Sequence, residues 1–496
     1  FYNGTNSTET NSSTFNQRLG LIETNPFGNG GGFALISTSA GSVVEATGIT
    51  MVGNFAEDSG GGFYSQGCTF VANVLENDEI SLMFDENSAL LGGNAFISKS
   101  AFNTTASNKK LLGGDSDSIY KFIFTRGKSK KDGGGIACIG STLHLENANV
   151  EHNSARLSGG GIFGVLCLLE TISSVIQTNN ALYDGGGIYL ESLSAASILS
   201  SQITSNYAGG AGGGIYSRYS HSFQFGNSIL DKNDAAQGGG MYIEDSWTDP
   251  LVAESRIIYN NARDGGGGGI MWERTPPTLL QNVVMKFNTA QYGNNMASGI
   301  ARLLSTLKNN VMTANTKPFS PVISVRIIDH YGNIVRRRNQ ATTVVATVFS
   351  VGCMYRDYIC PTDFADTEGT IVPTCHNCPT AAQSISGKPA QEIPGMAGFV
   401  NFTGLGIRAW PGNHTIRLEI DRIKPIFRRV RVADCNPGQF LEVTSGVDGG
   451  TCRLCPGGFH KNQKGIHACT SCNAGFACAT GATLPHPCER GQFSIK

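Results

Sequence analysis

The chain is 496 residues long and holds 64 glycines against 38 acidic and 37 basic residues, with a formal net charge of −1. That balance leaves no global field to gather nucleic acid or an anionic membrane, and no apolar run approaches the ~18 residues of a membrane-spanning helix. A hydrophobic fraction of 40% argues against wholesale disorder, and 17 prolines without a Gly-X-Y period exclude collagen. The first residues, Phe1-Tyr2-Asn3-Gly4-Thr5, have neither the basic start nor the apolar stretch of a signal peptide, so a processed or partial chain is expected. Three Asn-x-Ser/Thr acceptors, Asn3, Asn6 and Asn11, crowd this Ser/Thr-rich start and read as an exposed leader. Asn103, Asn401 and Asn413 are the other candidate glycosylation sites.

From residue 28 to about 300 the glycines fall into a repeat. A triplet followed by an apolar residue recurs at Gly30, Gly60, Gly133, Gly159, Gly185, Gly212, Gly238 and Gly267, with degenerate copies Gly92-Gly93-Asn94 and Gly293-Asn294-Asn295. The following residues Ile136, Ile162, Ile188, Ile215, Met241, Ile270 and Met296 are spaced by 26, 26, 27, 26, 29 and 26. Ahead of each triplet stands Asn-x-Ala, at Asn54, Asn87, Asn153, Asn179, Asn206, Asn233, Asn260 and Asn288. The period is too short for the common two-helix repeats, and a glycine inside a helix costs about 1 kcal/mol. Short alternating pieces between the motifs, such as Ser197–Ile203, carry the period-two signal of strands.

Such a coil stacks like residues over like through parallel pairing, which predicts a parallel β-helix. The residues after the triplets form an inward aliphatic column, and glycine supplies turns with positive φ and close backbone approach. Asn153, Asn179, Asn206, Asn233, Asn260 and Asn288 form a stacked ladder in which each amide donates and accepts along the axis. Ala at the third position of every Asn-x-Ala copy keeps these asparagines from being glycosylation acceptors.

The alternation of Gly-Gly-x-Ile with an apolar-x-x-Asn element, as in Val175-Ile-Gln-Thr-Asn179, resembles the repeats of the chlamydial polymorphic outer-membrane proteins. That resemblance implies a right-handed β-helix of the kind found in surface adhesins. The chain departs from the family after the repeat, where cysteine-rich sequence stands in place of the alternating strands of a membrane barrel.

Three domains are expected: a β-helix over 1–316, a β-sandwich over 317–434 and a cysteine-rich module over 435–496. In the second, Val322–Ile328, Thr342–Phe349 and His414–Ile420 read as strands. Their order with Asp329-x-x-Gly332-Asn333, Gly398-Phe399 and Pro411-Gly412 resembles the immunoglobulin-like modules of adhesins and invasins, a different β-sandwich being the competitor. Of the 14 cysteines only Cys68, Cys138 and Cys167 precede residue 350. Cys353, Cys360, Cys375 and Cys378 could hold zinc through one Cys-x-x-Cys knuckle; two disulfides are favoured, because zinc knuckles belong to reducing compartments and pair two short-spaced dyads.

The final cysteines are Cys435, Cys452, Cys455, Cys469, Cys472, Cys478 and Cys488. Cys435-Asn-Pro-Gly-Gln-Phe440 is echoed at Cys455 and Cys472, and the block resembles ephrin-receptor-like and tumour-necrosis-factor-receptor-like modules. For such modules a reasonable pairing is Cys435 to Cys452 and Cys455 to Cys469; seven cysteines are odd in number and Gly491-Gln-Phe493 begins like another such turn, so the natural chain is expected to continue and Cys488 to pair with a residue not in this sequence.

β-Helices also carry polysaccharide lyases and glycosidases. Asp58, Asp132, Asp184 and Asp264 precede their triplets periodically, and periodic acids read as turn chemistry, whereas a catalytic acid and base form one unique cluster. The nine histidines show no metal-ligand spacing, and no Lys-Ser/Thr follows the glycines as a phosphate loop requires. No catalytic residue, cofactor or metal is therefore assigned. The sequence reads as a secreted or cell-surface structural glycoprotein, a filament subunit such as a flagellar hair or coat fibre of a eukaryotic microbe. Its expected partners are copies of itself or other filament subunits, with covalent N-glycans. The alternatives are an adhesin for glycans or host proteins and, less favoured, a polysaccharide-cleaving enzyme.

Overall fold

The computed structural model describes residues 30–37, 42–46, 48–73, 80–105, 122–313, 317–336, 398–409, 411–420, 423–443 and 450–489. It also places the strands Asn16–Gln17, Thr342–Ser350, Phe364–Ala365, Ile371–Val372, Ser384–Ser386 and Ala390–Ile393. The chain is all-β, without a helix among the described residues. It divides into two compact units, one of Phe1–Gly299 with Asp329–Arg338 and one of Ile300–Ile328 with Asn339–Lys496.

The first unit is a parallel β-solenoid with four strands to a coil. In one coil the strands are Ile188–Glu191, Ala195–Leu199, Gln202–Thr204 and Tyr207–Ala208. Each continues in register into the next coil, building sheets of ten, nine, eight and ten strands, all parallel except for Asn16–Gln17, which pairs antiparallel with Ser42–Ala46. Ile136, Ile162, Ile188, Ile215, Met241 and Ile270 stand over one another in the sheet that follows the triplets, all fully buried. The first coils fill the same core with rings: Phe70 lies 5.0 Å from Phe102, and Phe84 lies 5.3 Å from Phe124. Every coil thus removes its apolar side chains from water at roughly 25 cal/mol per Å².

The first two glycines of a triplet serve different purposes. Gly185 has φ +66°, which turns the chain. Gly186 has no such backbone demand; a Cβ there would lie 2.4 Å from the Tyr207 carbonyl oxygen and 2.5 Å from that of Gly213 in the next coil. The other corners turn through the same left-handed region with ordinary residues, for example Leu193, Ser200 and Ser205. Left-handed backbone costs an L-residue about 1–2 kcal/mol, so the stacking holds these corners against their local preference.

In the second unit Arg302–Ser305, Ile323–Ile328 and Phe399–Phe402 form an antiparallel sheet. A five-stranded sheet runs Val311–Thr313, Ile423–Val432, Gly412–Ile420, Thr342–Ser350 and Ala390–Ile393, antiparallel apart from its first pair. Alternate residues are buried, Ile323, Val325 and Ile327 in one and Ile416, Leu418 and Ile420 in the other, so each sheet turns one face inward. Three short hairpins follow from Cys435.

Candidate functional site

The most regular chemistry in the molecule is the asparagine column at the third corner of the coil. Asn153 donates through Nδ2 to Asn179 Oδ1 at 3.0 Å and to the Phe124 carbonyl at 2.9 Å, and its backbone N–H reaches the same Oδ1 at 3.0 Å. The pattern repeats from Asn179 through Asn206, Asn233 and Asn260 to Asn288. Each amide therefore uses both donors and both acceptor lone pairs inside the protein, and an amide buried without partners would be strongly destabilising.

Two departures from the repeat explain each other. In the coil between Asn87 and Asn153 the ladder position is Gly127, and Asn94, the third residue of a degenerate triplet, fills the gap. Asn94 Oδ1 accepts from Asn87 Nδ2 at 3.0 Å, and its Nδ2 donates to Asn153 Oδ1 at 2.9 Å and to the Thr125 carbonyl at 3.0 Å. A Cβ on residue 127 would lie 2.6 Å from Asn94 Nδ2. At the other end Asn288, the last rung, donates to Asn295 of the second degenerate triplet at 3.0 Å.

Serines form further columns that sequence reasoning missed. The N–H groups of Ser174, Ser201 and Ser228 donate to the hydroxyls of Ser201, Ser228 and Ser255 at 3.2, 3.0 and 3.1 Å. At another corner the Ser100 N–H reaches Ser141 Oγ at 3.1 Å and the Cys167 N–H reaches Ser194 Oγ at 3.0 Å. Cys167 is bonded to Cys138, and both are buried. Cys68 is a buried free thiol, and burial pushes its pKa up. The signal for the Cys138–Cys167 bond is their separation of 29, close to one coil.

Two of the acids before the triplets have their carboxylates occupied by backbone. Asp132 Oδ1 accepts from the Ser158 N–H at 2.9 Å and Asp184 Oδ1 from the Ala211 N–H at 2.6 Å. Burial pushes both carboxyls above the usual range, against these hydrogen bonds. For Asp58 it is the carbonyl that accepts, from Leu90 and Leu91. The outer face of the triplet sheet carries a stack, Phe163, Tyr189, Tyr216 and Tyr242, with centroids 5.2, 5.0 and 5.4 Å apart. Burial and then the Glu191 carboxylate hold the Tyr189 phenol far above its ordinary value, so it stays neutral and donates to Glu191 at 2.7 Å.

At the end of this unit Asp329 is fully buried and accepts from the N–H groups of Tyr331 and Asn333 at 2.9 and 2.8 Å and of Ser298 at 3.3 Å. Trp272 Nε1 donates to the Tyr331 hydroxyl at 2.9 Å. The Asp-x-x-Gly-Asn motif thus fastens its loop onto the last coil. A shallow groove of about 830 Å³ follows one corner along the axis, lined by Lys99, Ser100, Gly140, Leu166, Leu168 and Leu193 among others, with no carboxylate or imidazole in its wall.

Among the glycosylation candidates, Asn103 lies half-buried on the outer side of Ala101–Thr105, between Val71 and His144 in register, and Asn401 and Asn413 are exposed on strands of the second unit. Asn3, Asn6 and Asn11 lie outside the described residues, as do Cys353, Cys360, Cys375 and Cys378. In the cysteine-rich stretch Cys435 is bonded to Cys452, Cys455 to Cys469 and Cys472 to Cys478. Gly438, Gly458 and Gly475, each three residues after a cysteine, have φ of 77°, 87° and 88°, so the sequence echo is one turn used three times. Lys461 bonds the carbonyls of Gln439 and Gly465 at 2.7 and 2.6 Å, and burial lowers its pKa. His460 Nδ1 lies 3.6 Å from Cys472 Sγ, beside a sulfur already taken by its disulfide.

No protein-family model matches this chain, and no curated protein matches it. The four disulfides among the described residues belong to a compartment that does not reduce them, and no helix in those residues is long and apolar enough to cross a membrane.

Proposed function

We propose that the chain is an extracellular structural glycoprotein, a subunit of a surface filament or appendage such as a flagellar hair or coat fibre of a eukaryotic microbe. One observation carries the reading. The polar groups that recur along the solenoid are bound to their equivalents or to backbone one coil away: asparagine to asparagine, serine N–H to serine, and Asp132 and Asp184 to N–H groups. Chemistry repeated coil by coil specifies shape, whereas an active site is a unique constellation. The disulfides suit the extracellular setting, and the exposed acceptors Asn401 and Asn413 suit N-glycosylation. The partners are copies of this chain or other filament subunits.

The test is electron microscopy of the purified glycoprotein across a concentration series, with regular filaments expected. Single, unassociated particles at every concentration sink the proposal. The adhesin reading draws on the axial groove, where Leu166, Leu168 and Leu193 are each about half exposed. Saturable binding to glycans or host proteins by particles that never polymerise favours it.

A further inference from the structure

The cysteine-rich stretch repeats in a fixed backbone register. The Cys455 N–H donates to the Gly438 carbonyl at 2.8 Å, Cys472 to Gly458 at 2.9 Å and Cys488 to Gly475 at 2.9 Å. Each of these cysteines closes one hairpin and stands at the start of the next unit. Of the opening cysteines, Cys435 is bonded 17 residues on, to Cys452, and Cys455 is bonded 14 residues on, to Cys469. Cys452 and Cys469 stand three places before the next opening cysteine, and the same place before Cys488 is held by Pro485. Proline has no sulfur, and Cys472 is bonded instead to Cys478, within its own unit.

Cys488 is then left at an opening position, with a free and partly exposed thiol. A second observation bears on it: Cys488-Glu-Arg-Gly-Gln-Phe493 matches Cys435-Asn-Pro-Gly-Gln-Phe440 at Cys, Gly, Gln and Phe. At both fully regular units of this array the residue in that position is disulfide-bonded.

We propose that Cys488 opens a further unit and is bonded to a cysteine outside the array of Cys435 to Cys478, supplied by following polypeptide or by a second copy of the chain. The bond forms by exchange with a disulfide oxidant such as oxidised glutathione. The Cys488 thiolate displaces one glutathione thiolate, the partner thiolate displaces the second, and two electrons and two protons end on the two glutathione thiols. The proposal rests on the register of the array and not on filament formation.

The test uses the polypeptide as its own cell secretes it, trapped with iodoacetamide without reductant and mapped by mass spectrometry. Cys488 is expected in a cross-link to a peptide outside residues 435–478. A link to following sequence leaves the non-reduced mass that of one chain. A link to a second copy doubles it, and the doubling disappears in Cys488→Ser. Cys488 recovered alkylated, capped by a small thiol, or bonded to Cys472 or Cys478 overturns the proposal. Microscopy of Cys488→Ser keeps the two readings apart, since filaments that persist leave the structural reading intact whatever the thiol does.

Discussion

The solenoid and the cysteine-rich array are both repeats, yet they are held by different means. A solenoid coil buries Ile188, Leu190, Ile198 and Ile203 completely and bonds its asparagine to the coils on either side. The later two hairpins of the array pair only two residues per strand, Phe459–His460 with Thr470–Ser471 and Phe476–Ala477 with His486–Pro487, and leave Phe459 and Phe476 exposed. Units with so little core need covalent links, whereas coils that share a core stabilise one another as neighbours.

The sharpest way to break this comparison is reduction. Each native disulfide of a small secreted unit contributes about 2–5 kcal/mol, more than an isolated hairpin has in reserve. A reductant is therefore expected to abolish hydrogen-exchange protection across residues 450–489 while the solenoid amides from Ile136 to Ile270 stay protected. Equal loss in both regions would show that the solenoid also depends on its single Cys138–Cys167 bond.

A second experiment sharpens the solenoid side. Asn94→Gly restores the consensus triplet but removes the acceptor of one Asn87 Nδ2 proton and one of the two donors to Asn153 Oδ1, leaving them only the Met51 carbonyl and the Gly127 N–H, at a cost of about 1–3 kcal/mol for a buried donor left unsatisfied. Gly127→Asn restores the ladder consensus but drives a Cβ against Asn94 and the Gly134 carbonyl oxygen, of which the double variant relieves only the first. Both single variants are expected to lower stability although each moves the sequence toward the repeat, and the double variant to recover part of the loss. Denaturant melts give the coupling energy, expected at about 1–3 kcal/mol. Strict additivity would show that the two departures are unrelated.

That pair marks where sequence reading runs out. The period and the asparagine column were legible because Gly triplets and Asn-x-Ala are conspicuous multi-residue signatures that recur near every 26 residues. The serine columns were not, since serine is scattered through the chain and Ser174, Ser201, Ser228 and Ser255 carry no flanking signature. Asn94 and Gly127 each look like decay of a motif, and only the fold brings them side by side, both donating to Asn153 Oδ1. Left-handed corners at Leu166, Tyr259 and Phe287 were equally hidden, because local preference argues against them and the stacked neighbours decide. In the array a cysteine recurs three places before the next opening cysteine, so the register could be read from sequence, and the replacement of a cysteine by Pro485 is visible only against that register.

The smallest effect concerns protons, where the same contrast holds, since disulfides do not titrate and the solenoid's buried acids do. Burial raises the Asp184 carboxyl pKa in the folded chain above its unfolded value, even though the Ala211 N–H and Arg218 favour the anion. Between the two values the folded state binds more protons than the unfolded state, so this group lowers stability as pH rises through the window and ceases to do so once pH falls below the unfolded value. Asp184→Asn keeps an oxygen for the Ala211 N–H and removes the buried charge. The variant is expected to match or slightly exceed the parent melting temperature at pH 7 and to lose that advantage near pH 4, read from paired melts across the range. A lower melting temperature at pH 7 would mean that Asp184 is held as a needed anion, by Arg218 or by a ligand, and would return it to the candidates for chemistry.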